Sequence, residues 1–219
     1  MAPVLLINPN TSEASTALMA GILRAALGPA PPLVTETARV GAPMLTTPQD
    51  LDTAAQEVLR IGRARAPAVS AIVVGAFGNP GLGALRAAVD IPVLGIGEAA
   101  LREAAAGGRR FGVATTTPGL DTSIGAAARA LGLDAGYTGT RVPAADPLAL
   151  AQDPDRQDAC LAELIAACVA DGAEAVVIGG GPLAASAARL APRFPVPVID
   201  AVAAAGRALR RLPALAGPA

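Results

Sequence analysis

The chain has 219 residues, is 53% hydrophobic and carries a net charge of −1, so it can bury a sizeable core and offers no basic footprint to nucleic acid or an anionic membrane. No apolar run approaches the ~20 residues needed to cross a bilayer, and Met1-Ala-Pro-Val4 leads straight into a strand with no basic leader, which points to the cytoplasm. There is no His, all 17 basic residues are Arg, and there are one Tyr and two Cys, so Schiff-base and pyridoxal-lysine chemistry, a Ser-His-Asp triad and a His-based metal site are excluded.

In chain order, Pro3–Ile7 reads as a strand that ends in the polar loop Asn8–Ser12. Thr11 or Ser12 caps a helix over Glu13–Leu27, and the Gly28–Pro32 run stops it. Leu33–Thr37 is a second strand of alternating character, Val40–Thr47 a loop, and Thr47-Pro48 opens a helix to about Arg65. Ser70–Gly75 is a strand, Leu82–Val89 a helix and Pro92–Leu94 a strand. Gly95-Ile-Gly-Glu98 then leads a helix to about Ala106. The pattern restarts with a strand at Arg110–Thr115, the loop Thr115–Gly119 and a helix over Leu120–Leu131. A weak strand near Gly136–Arg141, the loop Val142–Pro147, a helix over Asp155–Asp171, the stretch Glu174–Leu183 and a last helix over about Ala201–Leu212 complete it.

One stretch organises the rest. Ala71-Ile-Val-Val-Gly-Ala-Phe-Gly-Asn-Pro-Gly-Leu82 is a short apolar run ending in small residues and a turn signal, which reads as a buried strand feeding a tight loop and a helix. Glu174-Ala-Val-Val-Ile-Gly-Gly-Gly-Pro-Leu183 repeats it, and both copies lead on to a Pro-containing strand, Ile91–Leu94 and Val196–Ile199. Alternating strands and helices predict an α/β fold with parallel-rich sheets. The repeat predicts two similar, pseudo-twofold-related lobes, residues 1–95 with 200–219 and residues 96–199, with a ligand cleft where the repeated loops meet.

With these loops in view, the chain resembles the aspartate/glutamate/hydantoin racemase superfamily, and most closely its hydantoin and allantoin racemase branch. The resemblance is carried by Ile7-Asn-Pro-Asn-Thr-Ser12, Ala76-Phe-Gly-Asn-Pro-Gly-Leu82, Gly95-Ile-Gly-Glu-Ala99, Gly112-Val-Ala-Thr-Thr-Thr117 and Val177-Ile-Gly-Gly-Gly-Pro-Leu183, in the family's order. It implies two Rossmann-like lobes, an active-site cleft at their pseudo-dyad and a homo-oligomer. It also implies a small amino-acid-derived carboxylate or cyclic ureide as substrate, with no metal or organic cofactor. The family's racemases place one cysteine on each face of the substrate. Here those positions fall at Ala76 and Gly180, neither of which can move a proton. Cys160 and Cys168 lie mid-helix in an apolar stretch and read as packing.

Three readings follow: an isomerase with non-cysteine chemistry, or a lyase or decarboxylase, in the same cleft; a catalytically silent binding protein; or a racemase whose cysteines were replaced to trap a ligand. The loops Gly75–Gly78 and Gly179–Gly181 present backbone N–H groups where the chain turns into a helix, suited to a carboxylate or enolate oxygen. Expected at the substrate are Asn8, Asn10, Ala76, Phe77, Gly78, Thr115, Thr116, Thr117, Gly179, Gly180 and Gly181, with amide and hydroxyl groups for neutral recognition. Asn10 and Thr117 read equally well as loop or helix caps. Candidates for moving a proton are Glu98, at a helix start, and Tyr137; capping or a buried structural bond explains Glu98, and its counterpart Asp200, as well, and ring packing explains Tyr137. Arg141 is a candidate partner for a substrate carboxylate, with a solvated Arg as the default.

Overall fold

The structure, a computed structural model, describes residues 2–29 and 31–215. The chain forms two compact units: the first takes the chain up to Ala99 and resumes at Val202, and the second is Ala100–Ala201. The passage from one to the other falls inside a helix, not in a loop.

The first unit holds a four-stranded parallel sheet. Its strands are β1 (Val4–Asn8), β2 (Leu33–Thr37), β3 (Ala71–Val74) and β4 (Val93–Gly95), in the order β2-β1-β3-β4. The central strands β1 and β3 are buried along their whole length, which is why β3 is an unbroken apolar run and β1 is one up to its last residue, Asn8. The edge strand β2 is half-buried throughout, and its Leu-Val-Thr-Glu-Thr sequence passes from apolar to polar instead of alternating as expected. Helix α1 (Glu13–Leu27) is capped by the Ser12 hydroxyl, which accepts the Ser15 N–H. Helix α2 (Pro48–Arg65) begins with a reciprocal box in which Thr47 and Asp50 each accept the other's backbone N–H. Leu5, Ile7, Val58, Ile61, Ile72, Val74, Leu85 and Val93 form this unit's core, each large side chain stabilising the fold by about 1.5–3 kcal/mol through burial. Helix α3 (Leu82–Arg86) is a short connector, ending before the predicted Val89. Helix α4 (Ile96–Ala104) starts directly from β4, with Ile96 already helical.

The second unit repeats the plan. Strands β5 (Phe111–Ala114), β6 (Tyr137–Arg141), β7 (Ala175–Ile178) and β8 (Val198–Asp200) form a parallel sheet in the order β6-β5-β7-β8. Helix α5 (Asp121–Ala130) follows β5. A short helix, α6 (Pro147–Ala151), then follows the loop expected to end at Pro147. Asp146 caps it and Pro147 opens it. Helix α7 (Pro154–Ala170) packs on β5 and β6 through Leu161, Ile165 and Cys168. Helix α8 (Ala184–Leu190) is seven residues long, and α9 (Ala201–Leu209) starts directly from β8. Gly206 of α9 lies so close to α1 that a β-carbon there would meet Ala26. No helix among the described residues is long and apolar enough to cross a membrane.

Candidate active site

The candidate residues gather at the carboxyl ends of the central strands in each unit, where an open parallel sheet presents its loops. In the first unit β1 and β3 are neighbours in register, and the Gly75 N–H donates to the Ile7 carbonyl at 2.8 Å. That bond holds the loop Ala76–Gly78 beside the loop Asn8–Ser12. In the second unit β5 and β7 are neighbours, and the Gly179 N–H donates to the Ala114 carbonyl at 2.9 Å. The Thr115 hydroxyl adds a buried clamp by donating to the Gly179 carbonyl at 2.7 Å. Thr115–Thr117 therefore lies against Gly179–Gly181 as Asn8–Asn10 lies against Ala76–Gly78.

The two polar loops do different work with their side chains. Asn8 is fully buried, and its Nδ2 donates to Asn10 Oδ1 at 2.8 Å, Thr16 Oγ1 at 2.9 Å and the Ser12 carbonyl at 3.0 Å. Its Oδ1 accepts the Asn10 N–H at 3.3 Å. Asn8 thus ties its own loop together. Asn10 Oδ1 also accepts the Ser12 N–H at 2.9 Å, while Asn10 Nδ2 donates to no acceptor among the described residues. In the second unit Thr115 is the tie. Thr116 is nearly buried, and its hydroxyl has no hydrogen bond among the described residues.

The small-residue loops expose backbone donors. Asn79 N–H closes a turn onto the Ala76 carbonyl at 3.0 Å, and among the described residues the N–H groups of Ala76, Phe77 and Gly78 donate to no acceptor. After β7 the Leu183 N–H closes onto the Gly180 carbonyl at 3.1 Å, and the N–H groups of Gly180 and Gly181 are left in the same condition. Phe77 and Gly181 are buried, and Ala76, Gly78 and Gly180 are half-buried. Most backbone N–H groups in a fold are paired, so this run of donors is available to an acceptor from outside the chain. The helices behind these loops have five and seven residues, too few for a large macrodipole. The donors are the loops' own.

Gly180 has φ 151° and ψ 131°, a conformation open to glycine and closed to side-chain-bearing residues. A β-carbon there would also press Leu183 Cγ and Cδ1 at 3.2 Å. Ala76 has no such restriction, since Asn79 is the non-glycine residue of positive φ among those described.

The titratable candidates are engaged elsewhere. Glu98 lies in the first turn of α4 and its Oε2 meets Arg86 Nη1 at 2.8 Å, while Arg86 Nε donates to the Val93 carbonyl at 2.9 Å. Tyr137 packs its ring on Phe111 with centroids 5.7 Å apart, and its hydroxyl pairs with Thr140. Burial pushes the Tyr137 phenol above its ordinary value. Arg141 is paired with both carboxylate oxygens of Asp171 at 2.7 and 2.6 Å. Cys160 and Cys168 both lie on α7, and Cys168 is packed on β5, its thiol 3.6 Å from the Val113 carbonyl oxygen. Burial pushes the Cys168 thiol up to about 11, and raises Cys160 as well. Among the described residues no group of His, Cys, Asp or Glu is placed to hold a metal ion.

Thr16 and Thr37 are not among the residues singled out from the sequence, whereas Asn79 with Pro80 reads there as a turn former. Thr16 interrupts the apolar face of α1 that carries Met19, Ala20 and Leu23, and a hydroxyl on a buried face is the signal that marks it. Asn79 adopts the left-handed conformation, φ 49°, that its Asn-Pro-Gly context favours.

The Asp/Glu/hydantoin racemase family matches residues 4–209 of the chain. A hydantoin racemase of Rhizobium meliloti is 35% identical over 210 residues, covering 91% of this chain and 84% of that protein. An allantoin racemase from Klebsiella pneumoniae superposes with a TM-score of 0.89 at 32% identity, covering 96% of this chain and 86% of the other. The allantoin racemase from Pseudomonas fluorescens gives a TM-score of 0.87 at 27% identity, over 93% of this chain and 87% of the other.

Proposed function

The chain belongs to the Asp/Glu/hydantoin racemase family, and on that premise we propose that it is a racemase-type isomerase of a small cyclic ureide of the hydantoin class, working without a thiol pair. The observation that carries the reading is the set of sheltered backbone donors at Ala76, Phe77 and Gly78, with a second set at Gly180 and Gly181. A hydantoin ring carries its exchangeable hydrogen on a carbon next to a carbonyl. Removing that proton sends the electron pair onto the carbonyl oxygen as an enolate. Donors fixed before the reaction favour that oxygen as its charge develops, which lowers the barrier to proton loss. The enolate carbon is planar, so return of a proton from the opposite face inverts the centre.

We take Ala76 and Gly180 to stand where the family's racemases carry their cysteines, as the motif resemblance implies. The backbone at 180, which a cysteine could not take without strain, fits a loop that works without a thiol. Glu98 is read as a tie between α4 and Arg86, and Tyr137 as a packing residue. The proton is then exchanged with water. In this reading Asn10 and Thr116 contact the substrate's polar edge, Asn8 and Thr115 hold the loops, and no metal or organic cofactor takes part. A cytoplasmic homo-oligomer is part of the same reading.

The test is incubation of single enantiomers of substituted hydantoins and of allantoin in deuterated water, followed by circular dichroism and mass spectrometry. The expected result is decay of the dichroism together with uptake of one deuteron at the stereocentre. Thermal stabilisation by a ureide without deuterium uptake would replace the reading with a silent binding protein. A change of mass other than deuteration would replace it with a lyase or decarboxylase.

A further inference from the structure

Helix α2 lies on the first unit along one stripe of residues, spaced as neighbours on a helix face are. Gly62 of that stripe sits on Leu85, Val58 enters the core, and the Ala55 backbone sits on Gly81. At the amino end of the helix the stripe reaches Leu51. There it covers Gly78, beyond the end of β3 at Val74. A β-carbon on Gly78 would stand 3.1 Å from Leu51 Cδ2 and 3.7 Å from Cδ1, so the two residues touch. The box between Thr47 and Asp50 fixes this turn of the helix, and the Leu51 N–H donates to the Thr47 carbonyl at 3.2 Å.

Leu51 is half-buried, as are Ala76 and Gly78 of the loop it covers. Apolar surface is thus left beside N–H groups that donate to no acceptor among the described residues. An acceptor that takes the Gly78 N–H lies about 2.9 Å from that nitrogen. In a hydantoin the carbonyl that becomes the enolate is bonded to the carbon that carries the substituent. A ring held by that carbonyl keeps its substituent within a few bonds of the loop.

We infer that Leu51 is a specificity-determining residue: it forms an apolar wall beside the donor loop that takes the ring's substituent, so that this chain prefers hydantoins with an aliphatic substituent to allantoin, whose substituent is a second urea. The inference rests on the reading of Ala76–Gly78 as the holder of the ring carbonyl. An aliphatic group against Leu51 exchanges water for an apolar contact. A ureido group in the same place gives up water and gains no partner for its N–H and carbonyl groups, which costs more than a poor apolar fit.

The test measures kcat/KM for isobutyl hydantoin and for allantoin in the parent, Leu51→Met and Leu51→Asn. The parent favours the isobutyl compound about tenfold or more. Leu51→Met, of similar volume and polarity, keeps that ratio within about twofold. Leu51→Asn, whose amide offers the ureido group a partner, lowers the ratio about tenfold. A parent that favours allantoin, or a ratio unchanged in Leu51→Asn, overturns the inference while the proposed function stands. An equal loss toward both substrates also overturns it, because that is the mark of a leucine that only supports the loop. Dissociation constants of the same two ureides, measured by calorimetry, give a readout that needs no turnover. A protein that racemises neither compound, but binds the isobutyl one more tightly and loses that preference in Leu51→Asn, upholds the wall and removes the proposed function. Binding of neither compound removes both.

Discussion

The Asn79 side chain accepts the Gly97 N–H at 3.2 Å, fastening the loop after β3 to the first turn of α4. A β-carbon on Gly97 would run into the Phe77 carbonyl oxygen, so position 97 is closed to any larger residue while this contact stands. Asn79 itself holds φ 49°. Replacing it with Ala removes the hydrogen bond and adds left-handed strain, each worth about 1 kcal/mol, so Asn79→Ala should cost about 2 kcal/mol. Asn79→Gly loses the bond without the strain and should cost about half as much. Urea denaturation reads both values, and equal losses would contradict the assignment of strain.

Gly180 and Ala76 should respond differently to the same side chain. At φ 151° Gly180 cannot accept a β-carbon without moving the backbone, and Leu183 is already at 3.2 Å from it. Gly180→Cys should destabilise by about 1–3 kcal/mol. Ala76→Cys, in an ordinary conformation, should stay within about 0.5 kcal/mol of the parent. Thermal denaturation of the two single variants decides this, and a neutral Gly180→Cys would show that the loop tolerates a thiol.

Acid stability should report Glu57. Its carboxylate is 7% exposed and accepts from Arg60 Nε at 2.7 Å, Arg60 Nη2 at 3.0 Å and the Arg39 N–H at 3.1 Å. The Arg60 guanidinium, with the Arg39 N–H, lowers it from 4.5 to about 2. A lowered value means that the folded state prefers the ionised form. The stabilisation is complete above the unfolded carboxylate's range and is lost as the pH falls through about 2. With allowance for the exposed Arg60, it is about 2 kcal/mol. Glu57→Gln should therefore be less stable than the parent by that amount at neutral pH, and the difference should narrow as the pH falls from 4.5 and close at about 2. A difference constant across the acid range would contradict the ion-pair account.

Cysteine alkylation should be slow. Cys168 is buried with its thiol near Val113 O at 3.6 Å and held at about 11, so little thiolate exists at neutral pH. Iodoacetamide should label Cys168 in the native protein at least about tenfold more slowly than after urea unfolding. Equal labelling in both states would show a reactive thiol that the structure does not contain.

Much of this fold could be read from the chain because its signals are local. Unbroken apolar runs such as Ile72–Val74 and Val176–Ile178 mark strands buried on both faces, and the glycine and proline punctuation after them marks the loops. The repeat then gives the two-unit plan. The short helix α6 carried a readable signal, Asp146 before Pro147, but five residues show no periodicity and the segment read as a loop. The direction a polar side chain faces is not local. Asn8 at a strand end has the same sequence appearance whether it meets a ligand or ties a loop, and only the packing of Thr16 from α1 assigns it to the loop. Glu98 likewise reads either as a proton carrier or as a capping or structural bond, because its partner Arg86 comes to it from another element. Glu57 shows the same limit: a buried carboxylate on α2 is unremarkable until the Arg39 backbone arrives from the loop after β2.

The central claim is turnover of a chiral ureide by a chain whose only thiols lie on α7. The most direct measurement is the optical rotation of a single hydantoin enantiomer over time, with the parent protein and with the folded double variant Cys160→Ser, Cys168→Ala. Decay to zero with both proteins, at rates within about twofold, is the predicted result. Decay with the parent that stops in the double variant, or rotation that persists with both, would contradict it.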